Sequence, residues 1–382
     1  MINFYSILIT VLVAIAIGMA GILFPIWINN KNEKLFKAKL EESDKKIKEI
    51  DKKTEEVEKL KVEVQNDRVL ILELKKTIED DKNKAQEAAT NSRAIQYFTE
   101  ALNETDLNKQ LELYNNAIKL NPNFAEAYNN RGVVKYKLNK YQEAIEDYNE
   151  AIELNNDDSD FYYNRGNAKS ELNKYQEAIE DYNKAIELKN DNSAFYYNRG
   201  IAKSEFNKYE EAIEDYDKAI ELNNDNSGFY NNRGIAKSEL NKYQEAIQDY
   251  SRAIELNKDY SDAYNNRGIA KSKLNKYQEA IEDYDKAIEL SPNDPGPYCN
   301  KGEVYFELKQ YDEALQYYEK ARKISPKDPV PYCNIGNVNL MLKNYLEAIK
   351  YYDKALAIDP NLKEALDNRQ EAQDKLNEEN KA

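Results

Sequence analysis

The chain has 382 residues, with 55 Lys and Arg, 70 Asp and Glu and no His, for a formal net charge of −15. Such an acidic balance argues against nucleic acid as the main partner, because strands are held largely by Lys and Arg on phosphates. The absence of His excludes histidine-dependent triads and zinc-protease motifs, and two cysteines, Cys299 and Cys333, are too few for a disulfide framework or a four-thiolate zinc site.

The charge is unevenly spread. Residues 1–90 are neutral, and the whole net charge falls in residues 91–382. No charged side chain precedes Lys31, and residues 4–28 form a nearly continuous apolar run flanked by Tyr5 and Trp27. About 20 apolar residues suffice for a transmembrane helix, so residues 1–30 are expected to be a retained membrane anchor. A cleaved signal peptide would carry a basic start and a shorter apolar core. Lys31, Lys34, Lys37, Lys39 and Lys45 follow the run and none precedes it. The positive-inside rule therefore predicts a single-pass topology, N-terminus out and the rest cytoplasmic.

Residues 31–90 contain no Gly or Pro and are rich in Lys, Glu, Leu and Ile. They predict a charged helical stalk. Every seventh residue from Phe36 is mostly apolar (Phe36, Ser43, Ile50, Val57, Val64, Ile71, Ile78), with Leu40, Ile47 and Thr54 as partners before Val57 and Leu60, Asp67 and Leu74 after it. The seam changes phase near Val57, as a three-residue discontinuity produces. Thr54 and Asp67 in the seam leave two readings open, a coiled coil that would make the protein a homo-oligomer and a single solvated helix. The segment KAQEAATNS reads as a short polar joint.

From there the sequence repeats. Gly132, Gly166, Gly200, Gly234, Gly268, Gly302 and Gly336 are spaced by 34 residues without insertion. A Tyr lies four residues before each, and Ala lies 12 and 19 residues after, at Ala144 to Ala348 and Ala151 to Ala355. Ala144, Ile145, Tyr148, Ala151 and Ile152 fall on one helical face. One such unit cannot bury its apolar face alone, so stability must come from stacking. The pattern resembles the tetratricopeptide repeat (TPR) family, which implies an all-α fold, a right-handed superhelix of helix–turn–helix units. Residues 125–362 hold seven units. Residues 91–124 resemble a degenerate eighth, with Phe98 in place of the glycine and Gln110 in place of the first alanine, and residues 363–382 form a polar capping helix and tail.

On the first helix of each unit, Asn129, Asn130, Val133 and Lys137 are expected to project away from the packed edges. Two residues before each glycine stands an Asn: Asn130, Asn164, Asn198, Asn232, Asn266, Asn300 and Asn334. A carboxamide carries donor and acceptor together, so seven at a regular rise suit an extended peptide backbone. Tyr163 and Tyr197 join them as candidate peptide-binding residues. The ladder resembles that of the TPR superhelix in O-GlcNAc transferases and the groove of TPR co-chaperones, although Ser170, Ser204, Ser238, Glu171, Glu205 and Glu239 here do not supply the cations of a carboxylate clamp. Arg131, Arg165, Arg199, Arg233 and Arg267 precede five of the glycines and are expected to pair with Asp147, Asp181, Asp215, Asp249 and Asp283, since buried charge needs a partner. The pattern changes together later, to Lys301 with Tyr317 and Ile335 with Tyr351.

No phosphate loop, nucleophile elbow or carboxylate dyad stands out, so no catalytic residue, cofactor or metal is expected. The sequence predicts a membrane-anchored scaffold that binds proteins or peptides in the concave groove. Two alternatives stay open: a cell-envelope assembly factor with its repeats outside the cytoplasm, and a regulatory subunit of an enzyme.

Overall fold

The computed structural model describes residue 11 and residues 33–380. The apolar run expected to anchor the chain, residues 4–28, therefore lies outside the described residues except for Val11. No described helix is long and apolar enough to cross a membrane. Seventeen helices and no strand occur among the described residues. They divide into two compact units, residues 1–89 and residues 90–382.

The first helix, α1, runs from Glu33 to Asn103. Its helical hydrogen bonding continues through KAQEAATNS, where the polarity of the segment suggests a joint. Ala, Gln, Glu and Lys are strong helix formers, and nothing in that segment can break the ladder. From Lys34 to Ala89 the side chains of α1 are exposed, the apolar ones included.

In the second unit the end of α1 packs against α2 (Leu107–Leu120) through Ala94, Phe98 and Ala101. The two departures expected of this region have visible consequences. Phe98 lies against the Tyr114 ring with centroids 5.8 Å apart. Gln110 donates to the carbonyls of Ala101 (3.2 Å) and Glu104 (2.6 Å), satisfying groups that the end of α1 leaves open.

Seven helix pairs follow. The first helices are α3 (Ala125–Lys137), α5 (Ser159–Glu171), α7 (Ser193–Glu205), α9 (Ser227–Glu239), α11 (Ser261–Lys273), α13 (Pro295–Glu307) and α15 (Val330–Met341). The second helices are α4 (Tyr141–Leu154), α6 (Tyr175–Leu188), α8 (Tyr209–Leu222), α10 (Tyr243–Leu256), α12 (Tyr277–Leu290), α14 (Tyr311–Ile324) and α16 (Tyr345–Ile358), with α17 (Lys363–Glu379) closing the stack. The turn inside each pair needs one left-handed residue. Asn139, Asn173, Asn207, Asn241 and Asn275 supply it with φ of 57–59°, and Lys309 and Lys343 do so in the last two units. Asn tolerates that region better than most side chains. The next residue then closes a six-to-one bond, as from Lys208 N–H to Lys203 O at 2.8 Å.

The core is a chain of small clusters rather than one mass. Ala144, Ile145 and Tyr148 of α4 meet Ala168 of the next unit, and Ala178, Ile179 and Tyr182 of α6 meet Ala202. The glycine permits this by letting the second-helix Tyr ring pack directly against the first-helix backbone. A methyl group at Gly200 would sit 2.7 Å from the Tyr216 ring. That ring is 1% exposed and has nowhere to swing. Gly200→Ala is therefore expected to lower the stability of the repeats by about 1–3 kcal/mol, although Ala is the better helix former by about 1 kcal/mol. Chemical unfolding followed by circular dichroism checks this, and an unchanged or higher midpoint would contradict the steric account.

Candidate functional site

First helices of successive units also lie against one another, which second helices do to a lesser degree, so the first helices crowd onto the inner side of the stack. Two polar networks hold them there. The Arg residues form the first. Arg199 directs Nε and Nη2 at the two oxygens of Asp215 (2.9 and 2.5 Å), and Lys203 adds a third contact at 2.9 Å. Its remaining Nη1 donates to Asn183 of the preceding second helix at 2.7 Å. One side chain thus ties three helices, reaching 16 residues forward and 16 back. Arg131, Arg165, Arg233 and Arg267 repeat the arrangement on Asp147, Asp181, Asp249 and Asp283. Each guanidinium also lies over the Tyr three residues earlier, at 5.3–5.5 Å.

The guanidinium groups are consequently engaged inside the fold and not free in the groove. The later substitutions keep the logic with different chemistry. Lys301 pairs with Asp285 and stands 4.6 Å from the Tyr317 ring centroid. Ile335 needs no counter-ion, and Tyr351 turns to Glu319 instead, at 3.3 Å. Asp215 is 3% exposed between two cations. Asp215→Ala leaves Arg199 with no carboxylate and Lys203 with only Glu211 at 3.8 Å, and is expected to destabilise the repeats by about 3–5 kcal/mol. Thermal unfolding of this variant measures it; a loss below about 1 kcal/mol would mean that the clamp behaves as a surface pair.

The second network is the Asn ladder. All seven rungs are half-buried. Asn164 donates Nδ2–H to Asn129 (3.0 Å), Asn198 to Tyr163 (2.9 Å) and Asn167 (3.0 Å), and Asn232 to Tyr197 (2.9 Å). Asn266 reaches Asn231 at 3.3 Å and Asn300 reaches Asn265 at 2.9 Å. Every acceptor belongs to the preceding unit, and all but Asn167 lie 35 residues back. Part of the donor capacity expected to face a peptide is therefore spent between units. In the five pinned rungs, Asn164 to Asn300, the amide nitrogen is the bonded atom, so the carbonyl oxygen is not used in the bond to the preceding unit. At Asn130 and Asn232 it also accepts from the neighbouring Asn129 and Asn231, at 3.1 and 3.3 Å, which leaves one of its two lone pairs.

Two placements differ from the expectation. Helical periodicity has Asn129 projecting freely, but it is 8% exposed and accepts from Asn164 while donating to Asn130. Tyr163 and Tyr197 are partly wall: their rings pack on Phe195 and Phe229 of the next unit with centroids 4.9 and 4.6 Å apart. Burial raises both phenol pKa values, that of Tyr197 to about 12. Asn129, Asn231 and Asn265 act as inter-unit acceptors, a role their sequence spacing does not make plain. The signal is present all the same, since the position three before each glycine reads Asn, Tyr, Tyr, Asn, Asn, Cys, Cys.

Asn334 faces the Cys position. Thiols accept weakly, and among the described residues this rung makes no side-chain hydrogen bond to the preceding unit. Cys299 and Cys333 are free thiols, each raised to about 12 chiefly by burial. They are protonated at neutral pH and weak nucleophiles. Among the described residues no cluster of Cys, Asp or Glu could hold a metal ion. The outer edge of the strip is acidic in three consecutive units, where Glu171, Glu205 and Glu239 are exposed.

Comparison with known proteins agrees with this geometry. Residues 125–158, 159–192 and 261–294 match the tetratricopeptide repeat family, as do residues 294–361, and residues 106–139, 205–240 and 236–275 match a related TPR repeat description. No curated protein matches the chain significantly. Among solved structures, the chain resembles a tetratricopeptide repeat protein from Parabacteroides merdae at 20% identity and a TM-score of 0.55, covering 65% of this chain and 98% of that one. It resembles the Cut9–Hcn1 hetero-tetramer of the APC/C at 19% identity and 0.53, covering 70% of this chain and about half (52%) of that one. It is also similar to YrrB, a TPR protein with an unusual peptide-binding site, at 26% identity and 0.41, covering 48% and 95%.

Proposed function

Because the chain belongs to the tetratricopeptide repeat family, whose repeats are generally non-catalytic protein-interaction scaffolds, we propose that its first-helix strip holds an extended peptide of basic character. The observation that carries this reading is the pinned ladder. Each internal rung is held by its own amide nitrogen, so its carbonyl oxygen is fixed before a ligand arrives, and preorganised acceptors lose less entropy on binding. A row of such oxygens suits the N–H groups of an extended backbone. The acidic edge at Glu171, Glu205 and Glu239 favours Lys or Arg side chains on that peptide and disfavours a terminal carboxylate.

The test is peptide binding by fluorescence anisotropy to the full chain in detergent, with extended basic and acidic peptides drawn from one random library. Basic sequences are expected to bind more tightly, with affinity falling as salt rises. Asn334→Ala removes a rung that makes no bond to the preceding unit, so it is expected to weaken binding about three- to tenfold with an unchanged unfolding midpoint. Asn198→Ala with Asn232→Ala is expected to weaken binding further and to lower the midpoint as well. Unchanged affinity in both variants would end the peptide-groove reading.

The same scaffold reading places residues 4–28 in a membrane and the repeats on its cytoplasmic side, from the uncharged run and the lysines that follow it. In sealed right-side-out vesicles, added protease should leave the repeats intact until detergent is supplied. Digestion without detergent would put them on the outer side.

A further inference from the structure

The first unit of the structure carries an exposed apolar seam. On α1, Val64 and Ile78 are each 65% exposed and Leu60 57%, although all three lie on one line of the helix. The ion pairs along it are local and exposed, such as Glu42–Lys46 at 2.7 Å and Glu49–Lys53 at 2.9 Å. Those are weak contributions, and none covers the apolar line.

The charges beside that line say what covers it. In heptad terms, Leu40, Ile47 and Thr54 are a positions in the first half and Val57, Val64, Ile71 and Ile78 are a positions in the second. The positions just before a, called g, are then Lys39, Lys46 and Lys53 in the first half. The e positions, five residues further on, are Asp44 and Asp51, and the same step from Lys53 reaches Glu58 just past the phase change. Parallel coiled coils pair g of one strand with the following e of the other. A second copy in register therefore sets Lys39 against Asp44 and Lys46 against Asp51 on both sides of the seam, and brings Lys53 toward Glu58 across the phase change. Across the phase shift near Val57 the signs invert and the match persists, Glu56 meeting Lys61 and Glu63 meeting Arg68. No like-charged pair occurs among these contacts.

We propose that α1 is one strand of a parallel two-stranded coiled coil, and that the occupant of its exposed seam is a second copy of this chain. Strand number and direction come from side-chain shape. β-Branched residues at every a position from Val57 to Ile78, with Leu60 and Leu74 at d, are the combination that favours parallel dimers. An antiparallel pair overlapping end to end would also match in sign, because first-half lysines would meet second-half glutamates; the experiment separates the two. Ser43 and Asp67 at d are the weak layers. The proposal uses α1 alone and does not rest on the peptide-groove reading.

The test uses the full chain in detergent, with Cys299→Ser and Cys333→Ser to remove native thiols and Ile50→Cys to report the seam. Light scattering is expected to give a dimer mass, and mild oxidation a disulfide between the introduced thiols of the two copies. A monomer, a trimer or no link overturns the proposal. Two charge-reversed chains follow, one with Lys39→Glu, Lys46→Glu and Lys53→Glu, the other with Asp44→Lys, Asp51→Lys and Glu58→Lys. All six positions are exposed in α1, so folding of the chain is not at issue. Each alone is expected to lose linking by at least about tenfold, and mixing the two to restore it. In an antiparallel pair each reversed half still meets its own sign on the partner, so failure of the mixture to recover, or undiminished linking of either chain alone, sinks the parallel arrangement.

Discussion

In each repeat a glycine backbone meets a tyrosine ring where a side chain would collide, and the rest of the second unit is arranged around that contact. Tyr216 lies against Gly200 with no room for a methyl group, and the same contact recurs from Gly132–Tyr148 to Gly336–Tyr352. Glycine in a helix interior is unfavourable in itself. Retaining seven of them makes sense only if the ring contact returns more than it removes, and every one of those tyrosines is at most 2% exposed. The contact sets the distance between the two helices of a unit. That distance in turn sets the reach an Arg on one helix needs to meet an Asp on the other.

Where the contact is not required, the glycine disappears. Gln370 occupies the next position in the 34-residue series, on α17. Among the described residues no second helix follows α17 to pack across it, Gln370 is exposed, and it donates to Asp374 at 2.9 Å. The inward face of α17 nevertheless keeps the habits of a first helix. Ala365 and Ala372 are buried against Tyr332 and Tyr352, Arg369 reaches Asp353 at 2.6 Å, and Asn368 donates to Asn337 at 2.9 Å. α17 thus covers the last apolar face as half a unit, polar only where water meets it.

Much of this is legible in the sequence because it depends on contacts within one unit. The fixed 34-residue interval yields the helix pairs, and the joint change from Arg with Asp to Lys301 with Tyr317 points to a contact between those positions. What is not legible depends on contacts between units. A 35-residue offset joins the five rungs from Asn164 to Asn300 to the acceptor before each, and nothing in one unit says that Asn129 is buried while Asn130 is half-open. Helical periodicity places both on the same strip; only the neighbouring first helix separates them. KAQEAATNS misleads for the opposite reason, since its polarity suggests a joint while its residues mostly prefer helix.

The two networks differ in what they leave over, and that difference locates function. Each Arg clamp commits all three guanidinium nitrogens, Nε and Nη2 to Asp and Nη1 to the preceding helix, with the plane over a Tyr ring, so its charge is already answered inside the fold. Each pinned Asn rung commits its nitrogen and keeps acceptor capacity on its oxygen. A side chain that is half-satisfied within the fold and held at a fixed angle is stiffer than a free one and still able to bind. At Asn334 the internal bond is absent because Cys299 stands where Tyr163 or Asn265 stands in earlier units. The ladder is therefore pinned from Asn164 to Asn300 and unpinned at Asn334. Its final rung has lower preorganisation and a freer amide, so a bound peptide would meet firm acceptors over the middle units and an adaptable group that can both donate and accept at the C-terminal end.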